Sequence, residues 1–464
     1  MNVRHLLLVG TLLAAACDKS GREPLAALPL VLHSPGPTTL LRLPAHGGEA
    51  VAYRSTDLTP LGWSVPKVTA IRRYVGVDLD QGLVYALDST RALVAIDLRA
   101  KRWRVLRKGI RNAALGPEGT LFAVDTGGKV TEVRGRRPIT LTDALPAGAT
   151  SLVGTAAGRL LVLPTPKRAD LTVFEPEGPS ETIAVPAGAS TATLAGDLVA
   201  VAADSAVVLA DPSGARKPQV IDVSGHVRSV MFSPSGHRFY VGRDKDDVLA
   251  FDRYSARERD GIDVPGGALD LRGDLYGLWM LVRSRKGDTL SVVDLTARGV
   301  VARTATDWDD NLPLVAPPFL LLVRKGRDVV GLDLERDGLR QRGQVSKAAD
   351  DIWVPLAWAP ASPEDVVVAA ATDTSEIAAD SAAGGTGQRF FLQVSSSRNP
   401  AWARELADKI AAAGIKASVV DPANADDVYR VVVGPFGTRE QADSASRSLG
   451  MPSFVISGPG TPAP

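Results

Sequence analysis

Between residues 29 and 371 the chain runs in short apolar stretches of Val, Leu, Ile and Ala, four to seven residues each, separated by clusters of Gly, Pro, Asp and Ser. Runs of that length bounded by turn formers are strands. No convincing amphipathic helix interrupts them, so the region is predicted to be all β and too large for a single sandwich. The runs are also periodic. Apolar segments closing on an acidic or polar residue end at Asp97, Arg134, Glu175, Asp211, Asp252, Asp294 and Asp333, at spacings of 37, 41, 36, 41, 42 and 39 residues.

A second marker keeps the same register. Leu115-Gly116-Pro117-Glu118-Gly119-Thr120-Leu121-Phe122 is similar to Phe232-Ser233-Pro234-Ser235-Gly236-His237-Arg238-Phe239, and the two prolines lie 117 residues apart, three times 39. About 40 residues is what a four-stranded antiparallel sheet with tight turns consumes, and such sheets protect their edges by arranging themselves radially. The expectation is a mainly β protein built on a seven-bladed β-propeller, or an eight-bladed one if the earlier stretch from Thr39 to Tyr53 supplies a blade or the strand that closes the ring. The segment resembles the loose WD-repeat, YVTN and TolB-like propellers, a likeness that implies fold and not chemistry.

The pattern changes after residue 371. Residues 372–387 are Ala, Ser, Thr, Gly and Asp with a single Ile and no aromatic residue, a composition that reads as a flexible linker. Residues 388–458 then read strand, helix, strand, strand, helix, strand. Asn399 and Pro400 suit the cap and first position of a helix whose apolar stripe is Ala403, Leu406, Ala407 and Ile410, with Gly414 placed to end it. Thr438-Arg439-Glu440-Gln441 is a capping box opening a second helix. Two such halves predict a small α+β, ferredoxin-like sheet with both helices on one face, followed by a tail at 459–464.

Phe391-Leu392-Gln393-Val394-Ser395 and, above all, Tyr429-Arg430-Val431-Val432-Val433-Gly434-Pro435-Phe436 resemble the SPOR domain family. The family commonly has Gly after the Gln-Val pair and an aromatic residue two positions later, where this chain has Ser395 and Ser397. The resemblance implies binding to peptidoglycan whose glycan strands have lost their stem peptides. If Leu392, Val394, Tyr429, Val431 and Val433 face the helices, alternation turns Gln393, Ser395, Arg430 and Val432 to the open face. In the ferredoxin-like strand order Gln393 and Arg430 are expected to meet near the middle of the sheet. A guanidinium grips a carboxylate with two hydrogen bonds, and an amide both donates to and accepts from N-acetyl groups. Trp402 is a further candidate for stacking on a sugar ring.

Residues 1–16 have a basic start at Arg4 and His5, an apolar run of eight and three alanines before Cys17, the sole cysteine. The run is too short to cross a bilayer and reads as a secretion signal. Its end resembles the lipobox of bacterial lipoproteins, which implies lipidation of Cys17 and a tether over 17–28. The implied location is the periplasm of a Gram-negative-type bacterium, with the anchor in its outer or inner membrane.

Composition narrows the partners. Lys plus Arg number 53 and Asp plus Glu 52, so no strong field draws the chain to nucleic acid. After Cys17 only His33, His46, His226 and His237 remain as histidines, none at a metal-ligand spacing, so no metal or cofactor is expected and the reading is non-enzymatic. His226 and His237 flank the 233–236 turn. The acids around Trp308 (Asp307, Asp309, Asp310) and the pair Asp350-Asp351 read as solvated loop charges. The expected whole is a cell-envelope lipoprotein whose propeller offers a platform to envelope or division proteins. The alternative is a propeller enzyme or ligand sensor held at the wall by the C-terminal module.

Overall fold

The computed structural model describes residues 38–360 and 389–458, with short interruptions of which 134–144, 423–428 and 447–452 are the longest. The segments read from the sequence as signal, tether, linker and tail, and Cys17 with them, lie outside the described residues.

Strands between residues 38 and 357 form eight antiparallel sheets, seven of four strands and one of three among the described residues. Seven follow one another along the chain at 71–107, 110–132, 152–184, 190–222, 227–263, 270–305 and 314–345. In each, the periodic apolar run is the third strand: Leu93–Asp97, Val130–Glu132, Asp170–Phe174, Ala206–Ala210, Asp247–Asp252, Thr289–Asp294 and Asp328–Asp333. The acid that closes several of these runs has a local task. The Asp97 carboxylate accepts from the backbone N–H of Arg99 (3.0 Å) and Ala100 (2.8 Å), and Asp252 and Asp294 do the same two and three residues on. Each forms an Asx-turn that sends the chain into the outer strand.

The runs are continuously apolar because both faces of every sheet are covered. On Leu93–Asp97, Val94 and Ile96 pack toward the sheet before it, Leu93 and Ala95 toward the sheet after it, and all four are essentially buried. Eight core clusters each join one pair of neighbouring sheets, and the cycle returns to its start: Leu41, Trp63 and Val354 pack with Val84 and Ile96, while Leu40, Tyr53 and Trp353 pack with Leu320, Leu322 and Val329. This is a β-propeller.

The repeat read from the sequence stops at seven because the eighth sheet is assembled from both ends of the ring. Its inner edge is Ile352–Ala357, paired antiparallel with Thr38–Leu43 through Leu41↔Val354 and Thr39↔Leu356. Gly48–Arg54 and Pro60–Val68 complete it. The stretch from Thr39 to Tyr53 is therefore two strands of the closing sheet.

The similar segments around Pro117 and Pro234 are both the turn from first to second strand. At the second, Gly236 N–H donates to Ser233 C=O (2.8 Å) and Gly236 sits at φ +71, where a Cβ would lie 2.5 Å from Leu194 of the preceding sheet. Backbone conformation and the close neighbour both demand glycine there. In the next sheet Asp274 holds the equivalent place, and its carboxylate accepts from Trp279 N–H (2.8 Å) and Tyr276 N–H (3.0 Å).

Burial nevertheless outweighs those bonds and raises the Asp274 carboxyl to about 6. The folded state thus holds this proton more tightly than the unfolded chain. Its stabilising share is complete below the ordinary value of 3.8 and is lost as pH rises through 6. That share is about 3 kcal/mol. Asp274→Asn is expected to flatten the stability curve between pH 4 and 7 relative to the parent, read as melting temperature against pH; parallel curves would refute the assignment.

Residues 389–458 form one further sheet in the order Ala417–Val420, Tyr429–Phe436, Arg389–Ser397, Phe454–Gly458, with the helix Pro400–Ala412 packed on one face. In chain order this is strand 2, 3, 1, 4, the ferredoxin-like arrangement.

Candidate functional site

The two motif strands are the central pair of this sheet. Arg389–Ser397 lies antiparallel to Tyr429–Phe436, and Leu392, Val394, Val431 and Val433 pack under the helix residues Ala403, Ala407 and Ile410. Ile415 N–H donates to Ile410 C=O (3.3 Å) at the helix end. The predicted capping box is present: Gln441 N–H donates to Thr438 Oγ1 (3.2 Å), while Gln441 Oε1 accepts from the N–H of Thr438 (3.3 Å) and of Gly437 (2.9 Å).

Gly434 explains its own place in the motif. It adopts φ +131, and a Cβ there would lie 3.2 Å from Phe390 O, Phe391 Cδ1 and Phe436 Cδ2. The Gly434-Pro435 peptide that follows is cis. Only glycine fits a backbone so turned and so crowded.

The site residues fall differently from the alternation argument. Gln393 lies opposite Val432, and their face also carries Phe391, Val420 and Ile456 as a second apolar cluster. This face was expected to be open, yet within the whole chain Gln393, Ser395 and Val432 are all buried. The central strands bear apolar side chains on this side as well, and Val432 packs there with Phe391, Val420 and Ile456. Gln393 Oε1 is buried without a hydrogen-bond partner.

A bulge between Gln393 and Ser395 then shifts the register, so that Ser395 stands opposite Val431 and Ser396 opposite Arg430. A bulge adds one residue to one strand and exchanges the faces beyond it. Gln393 and Arg430 are accordingly not a cross-strand pair, and Ser395 sits at a helix-side register position. Arg430 is half-buried. Trp402 lies on the helix Pro400–Ala412, but its side chain is outside the described residues. Sequence reasoning passed over Ser396, and the run Ser395-Ser396-Ser397 holds no signal that distinguishes it.

The SPOR domain family matches this unit over residues 386–457. The C-terminal unit is a SPOR domain. Such a domain is a peptidoglycan-binding module, and its presence indicates a protein of the cell envelope. Among the described residues no helix is long and apolar enough to cross a membrane. No curated protein matches the sequence.

The region before the SPOR domain is similar in structure to AztD from Citrobacter koseri, at 12% identity and a TM-score of 0.50 over 69% of this chain and 98% of that one. A second structure of AztD, the apo form, has 13% identity and a TM-score of 0.49 over 69% and 98%. Dihydro-heme d1 dehydrogenase NirN in complex with DHE has 14% identity and a TM-score of 0.47 over 70% and 76%. At this identity the likeness to the first concerns the fold alone.

Outside the SPOR domain, His226 and His237 stand at opposite ends of the strand Val227–Phe232, so the fold does not join them. His226 Nδ1 meets Asp204 Oδ1 (2.5 Å) and His237 Nδ1 meets Tyr254 Oη (3.3 Å). Asp307, Asp310 and Asp350 are exposed, as solvated loop charges would be, but Asp309 and Asp351 are more engaged. Arg324 bridges Asp309 (2.6 Å) and Asp350 (3.3 Å), and Asp351 pairs with Arg42 (3.3 Å) in the closing sheet. Among the described residues no group of His, Cys, Asp and Glu is arranged for a metal ion.

Proposed function

We propose that this chain is a lipid-anchored envelope protein whose SPOR domain grips peptidoglycan glycan strands stripped of their stem peptides, with the propeller as a rigid platform for envelope or division proteins. The observation that carries the reading is the match over 386–457 together with the full Tyr429 to Phe436 motif on a central strand. Removing stem peptides leaves lactyl carboxylates on the glycan. The Arg430 guanidinium is the group on these strands suited to a bidentate carboxylate contact. Gln393 Oε1, buried and unpartnered, costs about 1–3 kcal/mol as it stands, and a sugar amide or hydroxyl reaching the strand would satisfy it. Trp402 is the aromatic candidate for a sugar face, and Cys17 the lipid-bearing residue.

The test is cosedimentation of the protein with sacculi before and after an amidase has removed the stem peptides. Retention is expected to rise on stripped sacculi. Arg430→Ala is expected to lower it about 10- to 100-fold, the worth of one charge-assisted contact. Equal absence of binding to both preparations would remove the wall-binding reading.

A further inference from the structure

Between the sixth and seventh sheets lies an open pocket of about 640 Å³ lined by Arg283, Lys286, Thr306, Asp307, Trp308 and Arg324. Arg283 is the last residue of Trp279–Arg283, Lys286 follows in the turn to Thr289–Asp294, Trp308 lies just beyond the outer strand Gly299–Ala305, and Arg324 comes from Leu320–Lys325 of the next sheet. The volume suits a sugar or another small metabolite.

Three successive sheets place an arginine at the end of their second strand or one residue before it: Arg243, Arg283 and Arg324. Two of them have carboxylates of their own. Arg243 Nε donates to Asp247 Oδ1 (2.6 Å) and Nη1 to Ser224 Oγ (2.7 Å). Arg324 is shared between Asp309 and Asp350. Arg283 has no acceptor or ion-pair partner among the described residues, and its Nε is buried. Its cross-strand neighbour Asp270 is already engaged, because Asp270 Oδ2 accepts from Trp308 Nε1 (2.9 Å). That bond also holds the indole, whose ring carries the Arg272 guanidinium 4.3 Å from its centroid. Among the described lining residues Asp307, exposed on the rim, is the one acid.

A buried guanidinium nitrogen without an acceptor is costly. The equivalent positions show what such an arginine holds when it is paired. We propose that this pocket binds a small ligand carrying a carboxylate or phosphate group, gripped by Arg283 and Lys286 against the wall formed by Trp308. The ligand supplies the anion that Asp247 supplies to Arg243.

Calorimetric titration of the full chain with three probes tests this: inorganic phosphate, N-acetylmuramic acid, and N-acetylglucosamine, which shares the sugar ring but lacks the carboxylate. At least one anionic probe is expected to bind saturably, and Arg283→Met is expected to weaken it about tenfold or more. Lys286→Met, on an exposed side chain, carries the same test should Arg283→Met fail to fold. The exposed Lys108→Met leaves affinity unchanged, and Arg430→Ala subtracts any contribution from the SPOR sheet. Phosphate binding without muramic acid binding would assign a phosphorylated ligand, and the reverse a carboxylated sugar. The proposal is overturned if neither anion binds at millimolar concentration, if affinity survives Arg283→Met, or if N-acetylglucosamine binds as well as the anionic probes.

Discussion

Replacing Trp353 by alanine is expected to lower the unfolding free energy of the propeller by about 3–5 kcal/mol, the cost of truncating a large buried aromatic residue. Trp353 lies on the strand that closes the ring. Its indole sits 5.3 Å from the Tyr53 ring, its Nε1 donates to Ala348 C=O (3.1 Å), and it shares a cluster with Leu40, Leu58, Leu312 and Val345. These residues come from the last repeat and from both parts of the closing sheet. The cavity left by truncation would therefore lie where the two ends of the ring are joined. Loss of this contact exposes sheet edges that the closed ring protects, so the loss is expected to be cooperative. Since whole domains are stable by only about 5–15 kcal/mol, this is a large fraction of the total. Urea titration measures it. The same truncation at Trp103, half-buried on an outer strand, is expected to cost clearly less. A Trp353→Ala loss below about 1 kcal/mol would show that closure does not depend on this strand.

Gly434→Val is the second large effect. A non-glycine residue at φ +131 costs about 1–3 kcal/mol in backbone strain alone. The added side chain must also displace Phe390 O and the rings of Phe391 and Phe436. A unit of roughly 70 residues rarely holds more than about 3–5 kcal/mol, so the SPOR domain loses most of its stability. Retention on stripped sacculi is expected to disappear while the propeller's melting transition stays in place. Preserved retention with an unshifted SPOR transition would contradict the crowding seen around this residue.

Much of the propeller is legible in the amino-acid sequence alone. Its third strands stand out because sheets covered on both faces require unbroken apolar runs, and the acids that end several of them are needed for the turn within three residues. Both causes are local. The turn containing Gly236 was legible for the same reason. The closing sheet was not, since Thr38–Leu43 and Ile352–Ala357 are some three hundred residues apart and neither carries the full repeat. Of the acids read as solvated, Asp307, Asp310 and Asp350 are exposed, whereas Asp309 and Asp351 are held by Arg324 and Arg42, which come from other strands.

In the SPOR domain the strand order, the capping box and the motif glycine were all set by the sequence itself, through periodicity, capping chemistry and a backbone angle that only glycine accepts. The partner of each site residue was not. The bulge after Gln393 moves Ser395 out of line and brings Ser396 opposite Arg430, and on the face expected to be open Gln393 is buried and Val432 belongs to a second apolar cluster. Register and burial depend on which surface meets which, a property of assembled strands, so tertiary structure alone decided them.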